Sequence, residues 1–513
     1  VPLATLTSFA IQGINAFPVQ VEVDVVQVKE LSAATWNIVG LGDLAVREAR
    51  ERVKAALKNS GLALVDRRVV VNLAPADMRK EGSHLDLPMA LAGLIATGRV
   101  KPPAAHFAAA GELSLEGRIQ PLAGALPLAI GAREQGLSGI LLPEQNAGEA
   151  AHVEGIAIYP VGSLRDAVSF LNGELEILPA KPSLDGPPDP VRHDDLIDVK
   201  GQEGAKRALE VAAAGGHNIL LVGPPGSGKT MLARRIPGIL PPMSFAERIE
   251  ASKIHSIAGM LNGRTGLLTH RPFRAPHHTA SSASLVGGGA NPRPGEVSLA
   301  HHGVLFLDEL PEFNRNTLEV LRQPLEDGRV LISRAAGSIE FPARFLMVAA
   351  MNPTPSGFDT ETATARGMNT QAQVQKYLSR ISGPLLDRID IHMECPAVSL
   401  DELRNRHAKE DSATVRTRVC AARERQLARF RGRPGIYCNA HMSARELNEL
   451  CHLTPPAQAV LERAINRMGL SARAYDRLRK LARTIADLSA SEDIGPEHVS
   501  EAVQYRNMDR LGG

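Results

Sequence analysis

Cysteine is scarce in this chain: Cys395, Cys420, Cys438 and Cys451 are the only four in 513 residues. So few cannot form a disulfide scaffold over that length, and their scarcity fits a reducing compartment, the cytoplasm. No stretch approaches the ~18 consecutive apolar residues of a membrane span, so no membrane partner is expected. The opening Val1-Pro2-Leu3-Ala4-Thr5 lacks the basic region and apolar core of a secretion signal. Charge excess is also missing. A net charge of +2 neither demands nor excludes nucleic acid as a partner. No repeat of fixed period occurs. What remains is a globular composition, 44% apolar and 22% charged, in a chain too long for one ordinary core.

The order of local patterns divides the chain. Residues 1–172 mix strand and helix signals: Val19-Gln20-Val21-Glu22-Val23-Asp24-Val25 alternates with period 2, as a half-buried strand does. Residues 173–193 form a linker, since six prolines and glycines between Pro179 and Pro190 sustain neither helix nor sheet. Residues 194–395 alternate helices with short buried strands near 218–222, 304–308 and 345–350, the pattern of a parallel sheet. From 396 to 513 the strand signal disappears and Arg-, Ala- and Leu-rich helical periodicity takes over.

The chemistry begins at Gly223-Pro224-Pro225-Gly226-Ser227-Gly228-Lys229-Thr230. An apolar strand enters a glycine turn that opens into a helix at Lys229, which is the phosphate-binding loop in its proper context. Its glycines let backbone N–H groups converge on phosphate oxygens. Lys229 reaches the β- and γ-phosphates of ATP, and the Thr230 hydroxyl completes a Mg²⁺ shell. The strand Val304-Leu305-Phe306-Leu307 ends in Asp308-Glu309. Asp308 can hold Mg²⁺ through water, and Glu309 can polarise the attacking water. A third strand ends at Asn352-Pro353, where Asn352 can orient that water or contact the γ-phosphate, or else forms a turn.

Ser382-Gly383-Pro384-Leu385-Leu386-Asp387-Arg388-Ile389-Asp390 follows. The phosphate loop, the LFLDE strand, the AAMNP strand end and this segment, in this order, resemble the magnesium-chelatase-like group of AAA+ ATPases. The resemblance implies that Arg388 is an arginine finger reaching a neighbouring subunit's ATP; an ion pair within the chain to Asp387 or Asp390 is the alternative. Arg380 is a second candidate. Leu470-Ser471-Ala472-Arg473 resembles the group's second sensor, which implies that Arg473 contacts the γ-phosphate from a helical lid. Residues 326–341 read as a β-hairpin where helicases of the clade carry a pore-facing element, so Arg334 near its tip is a candidate DNA phosphate contact. An insertion over 256–290 resembles another pore element. A metal at His277, His278, His301 and His302, or at Cys438, His441, Cys451 and His452, matches no standard ligand spacing.

Ile38-Val39-Gly40-Leu41-Gly42-Asp43, Val71-Asn72-Leu73-Ala74-Pro75-Ala76-Asp77 and Lys80-Glu81-Gly82-Ser83 resemble the Lon-protease-like domain of the YifB/ComM family. The implied fold is α/β: a Lon-like domain, a parallel-sheet ATPase core and an all-helical C-terminal lid. A Lon-type Ser–Lys dyad is missing, because His84 falls at the serine position and Leu126 at the lysine position. The resemblance implies a homohexameric, ATP-driven DNA helicase or branch-migration motor acting with recombination proteins in natural transformation. Two alternatives are a magnesium-chelatase motor and a protein-remodelling ring. Chelatase motors are expected to lack the N-terminal domain.

Overall fold

A computed structural model describes residues 3–29, 34–40, 44–76, 80, 82–103, 106–182, 194–261, 266–289, 292–334, 337–357, 368–399, 410–433, 435–469 and 471–506. The proline-rich stretch 183–193 lies outside these residues. The chain forms two compact units. One comprises residues 1–190 together with 245–269 and 333–341; the other contains the remainder.

The first unit is built on a seven-stranded mixed sheet. Its strands are β1 (Leu3–Gln12), β2 (Asn15–Gln27), β3 (Trp36–Val39), β4 (Arg67–Ala74), β5 (Phe107–Ala109), β6 (Gly139–Pro143) and β7 (Ala157–Val161), in the order β3-β4-β2-β1-β5-β6-β7. The period-2 reading of β2 holds: Val19, Val21, Val23 and Val25 are buried, whereas Gln20, Glu22 and Asp24 are not. Helices Leu44–Asn59 and Asp86–Ala96 belong to this unit, and Arg52 on the first reaches buried Asp86 on the second with two hydrogen bonds of 2.9 and 3.2 Å.

The position expected for a protease nucleophile is occupied structurally. His84 Nε2 lies 2.7 Å from Phe9 O, while Ser83 donates to Glu112. Leu126, at the lysine position, is fully buried in an apolar cluster. The helix Phe245–Ile257 also joins this unit: Ile249, with Leu267, packs on the Phe9–Ala129–Leu142 cluster, and Ser256 O accepts the Gly124 N–H at 2.9 Å. The sequence pattern assigned this helix to the ATPase segment.

The second unit carries a five-stranded parallel sheet of β8 (Ile219–Val222), β9 (Phe273–Arg274), β10 (Val304–Leu307), β11 (Leu346–Met351) and β12 (Ile391–Glu394), in the order β9-β10-β11-β8-β12. All residues of β8, β10 and β11 are buried, as expected of strands covered on both faces. The C-terminal helices, among them Ser412–Arg429, Ala472–Leu488 and Pro496–Gln504, share one apolar core with this sheet, running from Leu196 to Tyr505. Packing therefore shows no break at residue 395, where the composition changes. The expected hairpin forms from strands Arg329–Arg334 and Gly337–Pro342. Its tip and the Arg334 side chain lie outside the described residues. Among the described residues, no helix is long and apolar enough to cross a membrane.

Candidate functional site

The carboxyl ends of β8, β10 and β11 bring the predicted groups together. β8 runs straight into the glycine loop, and the helix Lys229–Ile239 starts immediately after Gly228. Gly223 is required by close approach: a Cβ there would sit 2.1 Å from Cys395 O. Gly226 and Gly228 have φ of +78° and +91°, and a Cβ on either would meet nothing within 4 Å. They are needed for backbone conformation rather than for space.

Lys229 Nζ donates to Gly223 O at 2.7 Å and Pro224 O at 2.9 Å, and it lies 3.3 Å from Asn352 Oδ1. The amine thus already sits among oxygen atoms, in the arrangement that phosphate oxygens would take over. Burial pulls its pKa below the ordinary lysine value, partly offset by Asp308. The main-chain carbonyl of Asn352 accepts the Tyr377 hydroxyl at 3.3 Å.

Thr230 Oγ1 donates to Asp308 Oδ2 at 2.8 Å, and Asp308 Oδ1 accepts the Glu309 N–H at 3.0 Å. A hydroxyl and a carboxylate in direct contact at the mouth of a phosphate loop are the hard oxygen donors that Mg²⁺ selects. The residues present therefore fit ATP with Mg²⁺. Glu309 adopts a left-handed backbone conformation, φ +52°, and leaves more than half its side chain exposed.

Arg388 and Arg473 lie elsewhere. Both line a cleft of about 430 Å³ with Asn218, Glu326, Phe345, Arg477 and Lys480. Asn218 and Phe345 precede β8 and β11, so this cleft is at the amino end of the sheet, opposite the phosphate loop. Asn218 Nδ2 donates to Arg388 O at 3.1 Å, and the Arg388 guanidinium donates to Pro384 O at 2.7 Å and to Glu326. The ion pair is thus within the chain but with Glu326, not with Asp387 or Asp390. Asp390 instead faces His217 and Arg477. Arg473 is exposed on the first turn of Ala472–Leu488 beside Arg388. The helix packs against Glu203–Gly215, and Thr484 holds His217 at 2.8 Å just before β8, so its start overlooks the amino edge, away from its own chain's phosphate loop. Arg380 pairs with Glu312 at 3.0 Å and donates to Pro311 O.

The Cys438, His441, Cys451 and His452 side chains do not converge among the described residues. Cys451 instead points at the Met442 sulfur, 3.9 Å away. The His277 and His278 rings are tilted against each other with centroids 4.1 Å apart, as are His301 and His302 at 4.0 Å.

Two contacts of the site escape sequence reasoning, which names His278 as a candidate metal ligand alone. Gln202, itself at φ +61°, donates to Ser227 O at 3.0 Å and Pro396 O at 2.6 Å, bracing the loop from below. His278 Nδ1 lies 3.3 Å from Glu309 Oε2. Neither sits in a motif that spacing alone could flag.

Comparison with known proteins places this geometry. Residues 195–403 match the family model "Magnesium chelatase, subunit ChlI", residues 409–506 its C-terminal counterpart, and residues 21–146 "Subunit ChlI of Mg-chelatase". Competence protein ComM of Haemophilus influenzae is 44% identical over 99% of this chain and 98% of its own length. The chain belongs to the YifB/ComM family of magnesium-chelatase-like AAA+ proteins. YifB of Escherichia coli is 43% identical with the same coverage. Lon protease 2 of Bacillus subtilis matches 29% of the chain at 29% identity, in keeping with the Lon-like resemblance. Because the 21–146 match carries a chelatase description, an N-terminal domain of this kind does not by itself separate YifB/ComM proteins from chelatase subunits.

Proposed function

We propose that this protein is a cytoplasmic, ring-forming ATPase that drives DNA branch migration or unwinding while incoming DNA recombines during natural transformation. The observation that carries the ATPase reading is the meeting of Lys229 with Asn352 and of Thr230 with Asp308, with Glu309 next to Asp308. Mg²⁺, when bound, supplies charge neutralisation for phosphoryl transfer. The loop N–H groups and Lys229 bind the phosphates, while Thr230 and Asp308 hold the metal. Glu309 takes a proton from water that Asn352 orients. Arg388 and Arg473, at the far end of the sheet, are the groups a chain can present to its neighbour's nucleotide. That division of labour supports a homohexameric ring with one composite site per interface.

The DNA arm rests on the hairpin and on the likeness to a competence protein. Arg334, repeated around a ring, would line a channel with positive charge. Recombination proteins are the expected partners. The test is ATP hydrolysis with and without single-stranded or forked DNA, together with strand displacement, with Glu309→Gln as the inactive control. Hydrolysis indifferent to DNA, with no displacement, would sink the motor reading. Mg²⁺ insertion into a porphyrin would favour the chelatase alternative, and ATP-dependent unfolding of a protein substrate the remodelling ring. Arg334→Ala is expected to weaken DNA binding and displacement while leaving nucleotide affinity intact.

A further inference from the structure

We propose that Asp390 is a positioning residue that ties the segment carrying Arg388 to the helix carrying Arg473, so that one chain presents both arginines to its neighbour's nucleotide as a single unit. The proposal rests on the reading of Arg388 and Arg473 as the groups that complete the neighbour's site. Asp390 stands two residues after Arg388, immediately before β12. Its side chain is only 13% exposed and meets two other elements. His217, just before β8, places Nδ1 3.1 Å from Oδ2, and Arg477, on the helix Ala472–Leu488, places Nε 3.6 Å from Oδ1. The main chain beside it is held as well. The Asp390 N–H donates to Asn218 O at 3.0 Å, and Asn218 Nδ2 donates to Arg388 O at 3.1 Å.

Helical spacing makes the tie effective. Arg473, Arg477, Lys480 and Thr484 follow one another at intervals of four, three and four, so they share one face of their helix. Along that face the chain passes from Arg473, which is exposed, to Thr484, which is buried. Thr484 Oγ1 lies 2.8 Å from Nε2 of the same His217. The imidazole therefore spans from the helix to Asp390, and Arg477 closes the circuit one turn away from Arg473. Burial by itself raises the Asp390 pKa, but the hydrogen bond from His217 and the nearby cations Arg477 and Lys480 outweigh it and hold the carboxyl at about 2. The acid stays ionised and offsets the repulsion between Arg477 and Arg388. Glu326, the other carboxylate at this cleft that pairs with Arg388, is more than half exposed and can give way to an incoming phosphate, whereas Asp390 stays in place.

The experiment is steady-state ATP hydrolysis by full chains, alone and in equimolar mixtures, with assembly checked by size-exclusion chromatography and affinity by a fluorescent ATP analogue. Asp390→Asn keeps the shape and removes the charge. It is expected to lower kcat roughly 10- to 100-fold, the range one charge-assisted hydrogen bond commands, with KM and analogue affinity within about twofold. Mixed with Lys229→Ala it should recover about a quarter of the wild-type rate, because some interfaces then join its intact loop to the other chain's intact arginines. Mixed with Arg388→Ala it should gain nothing. Arg477→Gln, which cuts the tie from the helix side, should show the same pairing pattern, and Arg477→Lys should return kcat toward wild type. A merely structural defect would recover with neither partner. Near-normal kcat for Asp390→Asn overturns the proposal, as does recovery with Arg388→Ala. So does a lack of recovery with Lys229→Ala when Arg388→Ala and Lys229→Ala complement each other. Where the asparagine variant does not assemble, Arg477→Gln decides by the same outcomes. If Arg388→Ala and Lys229→Ala themselves fail to complement, the shared-site reading falls and takes this proposal with it.

Discussion

Replacing Arg388 by alanine tests whether the site is shared between chains. Asn218, which grips the Arg388 carbonyl, lies five residues before Gly223 along β8. At about 3.3 Å per residue the two ends are about 16 Å apart, beyond the reach of an arginine side chain. Arg388 therefore cannot serve its own phosphate loop. The pair it forms with Glu326 contributes under about 1 kcal/mol, because Glu326 is more than half exposed to screening solvent. Fold stability should thus barely change, while hydrolysis falls by roughly 10³-fold, as for other arginine fingers. Lys229→Ala should be equally inactive for a different reason. The decisive assay mixes the two inactive proteins. If neighbours assemble at random, one interface in about four joins an intact loop to an intact Arg388, so an equimolar mixture should recover about a quarter of the wild-type rate. No recovery at any ratio from variants that both assemble, or near-normal turnover by Arg388→Ala alone, would refute the reasoning.

Other consequences can be checked separately. Burial raises the Glu149 carboxyl from its ordinary 4.5 to about 7, against a hydrogen bond from Asn146. The folded state then holds this proton more tightly than the unfolded chain, so its contribution is fully present below pH 4.5 and is lost as pH rises through about 7. The loss is on the order of 3 kcal/mol. Denaturant titrations at pH 5 and pH 8 should show Glu149→Gln flattening that dependence; an unchanged difference argues against it. Gly223→Ala should destabilise by about 3 kcal/mol or more, since Cys395 O blocks a Cβ, whereas Gly226→Ala costs only about 1 kcal/mol of backbone strain; thermal melts distinguish them. Asp308→Asn should raise the Mg²⁺ concentration for half-maximal hydrolysis more than tenfold while ATP-analogue binding survives, and equal Mg²⁺ dependence would remove Asp308 from the metal shell.

The catalytic centre was legible because its signals are local. Four- and six-residue apolar strands, a glycine loop and a pair of terminal acids each announce their own geometry, and a parallel sheet aligns their carboxyl ends. Which chain's phosphate loop Arg473 faces was not legible, for the opposite reason. Its helix is evident from periodicity, but which edge of the sheet its first turn overlooks depends on His217 and Thr484, 267 residues apart. The contact between His278 and Glu309 was invisible because β9 contains just Phe273 and Arg274, too short to show a period. The Cys438, His441, Cys451 and His452 group does not converge among the described residues, and Cys451 points at sulfur instead, so there sequence proximity mimicked convergence.

The helix Phe245–Ile257 and the strand residues 333–341 pack with the N-terminal unit, so the chain passes between its two units five times rather than once. A clean cut at the proline-rich linker therefore does not yield a minimal ATPase. It strips the cover from Ile249 and Leu267 and leaves an apolar surface that invites aggregation. For the same reason the two halves cannot be exchanged between relatives like beads on a string. A graft would have to carry the ATPase-segment helix along with its N-terminal host, and evolution would have met the same constraint.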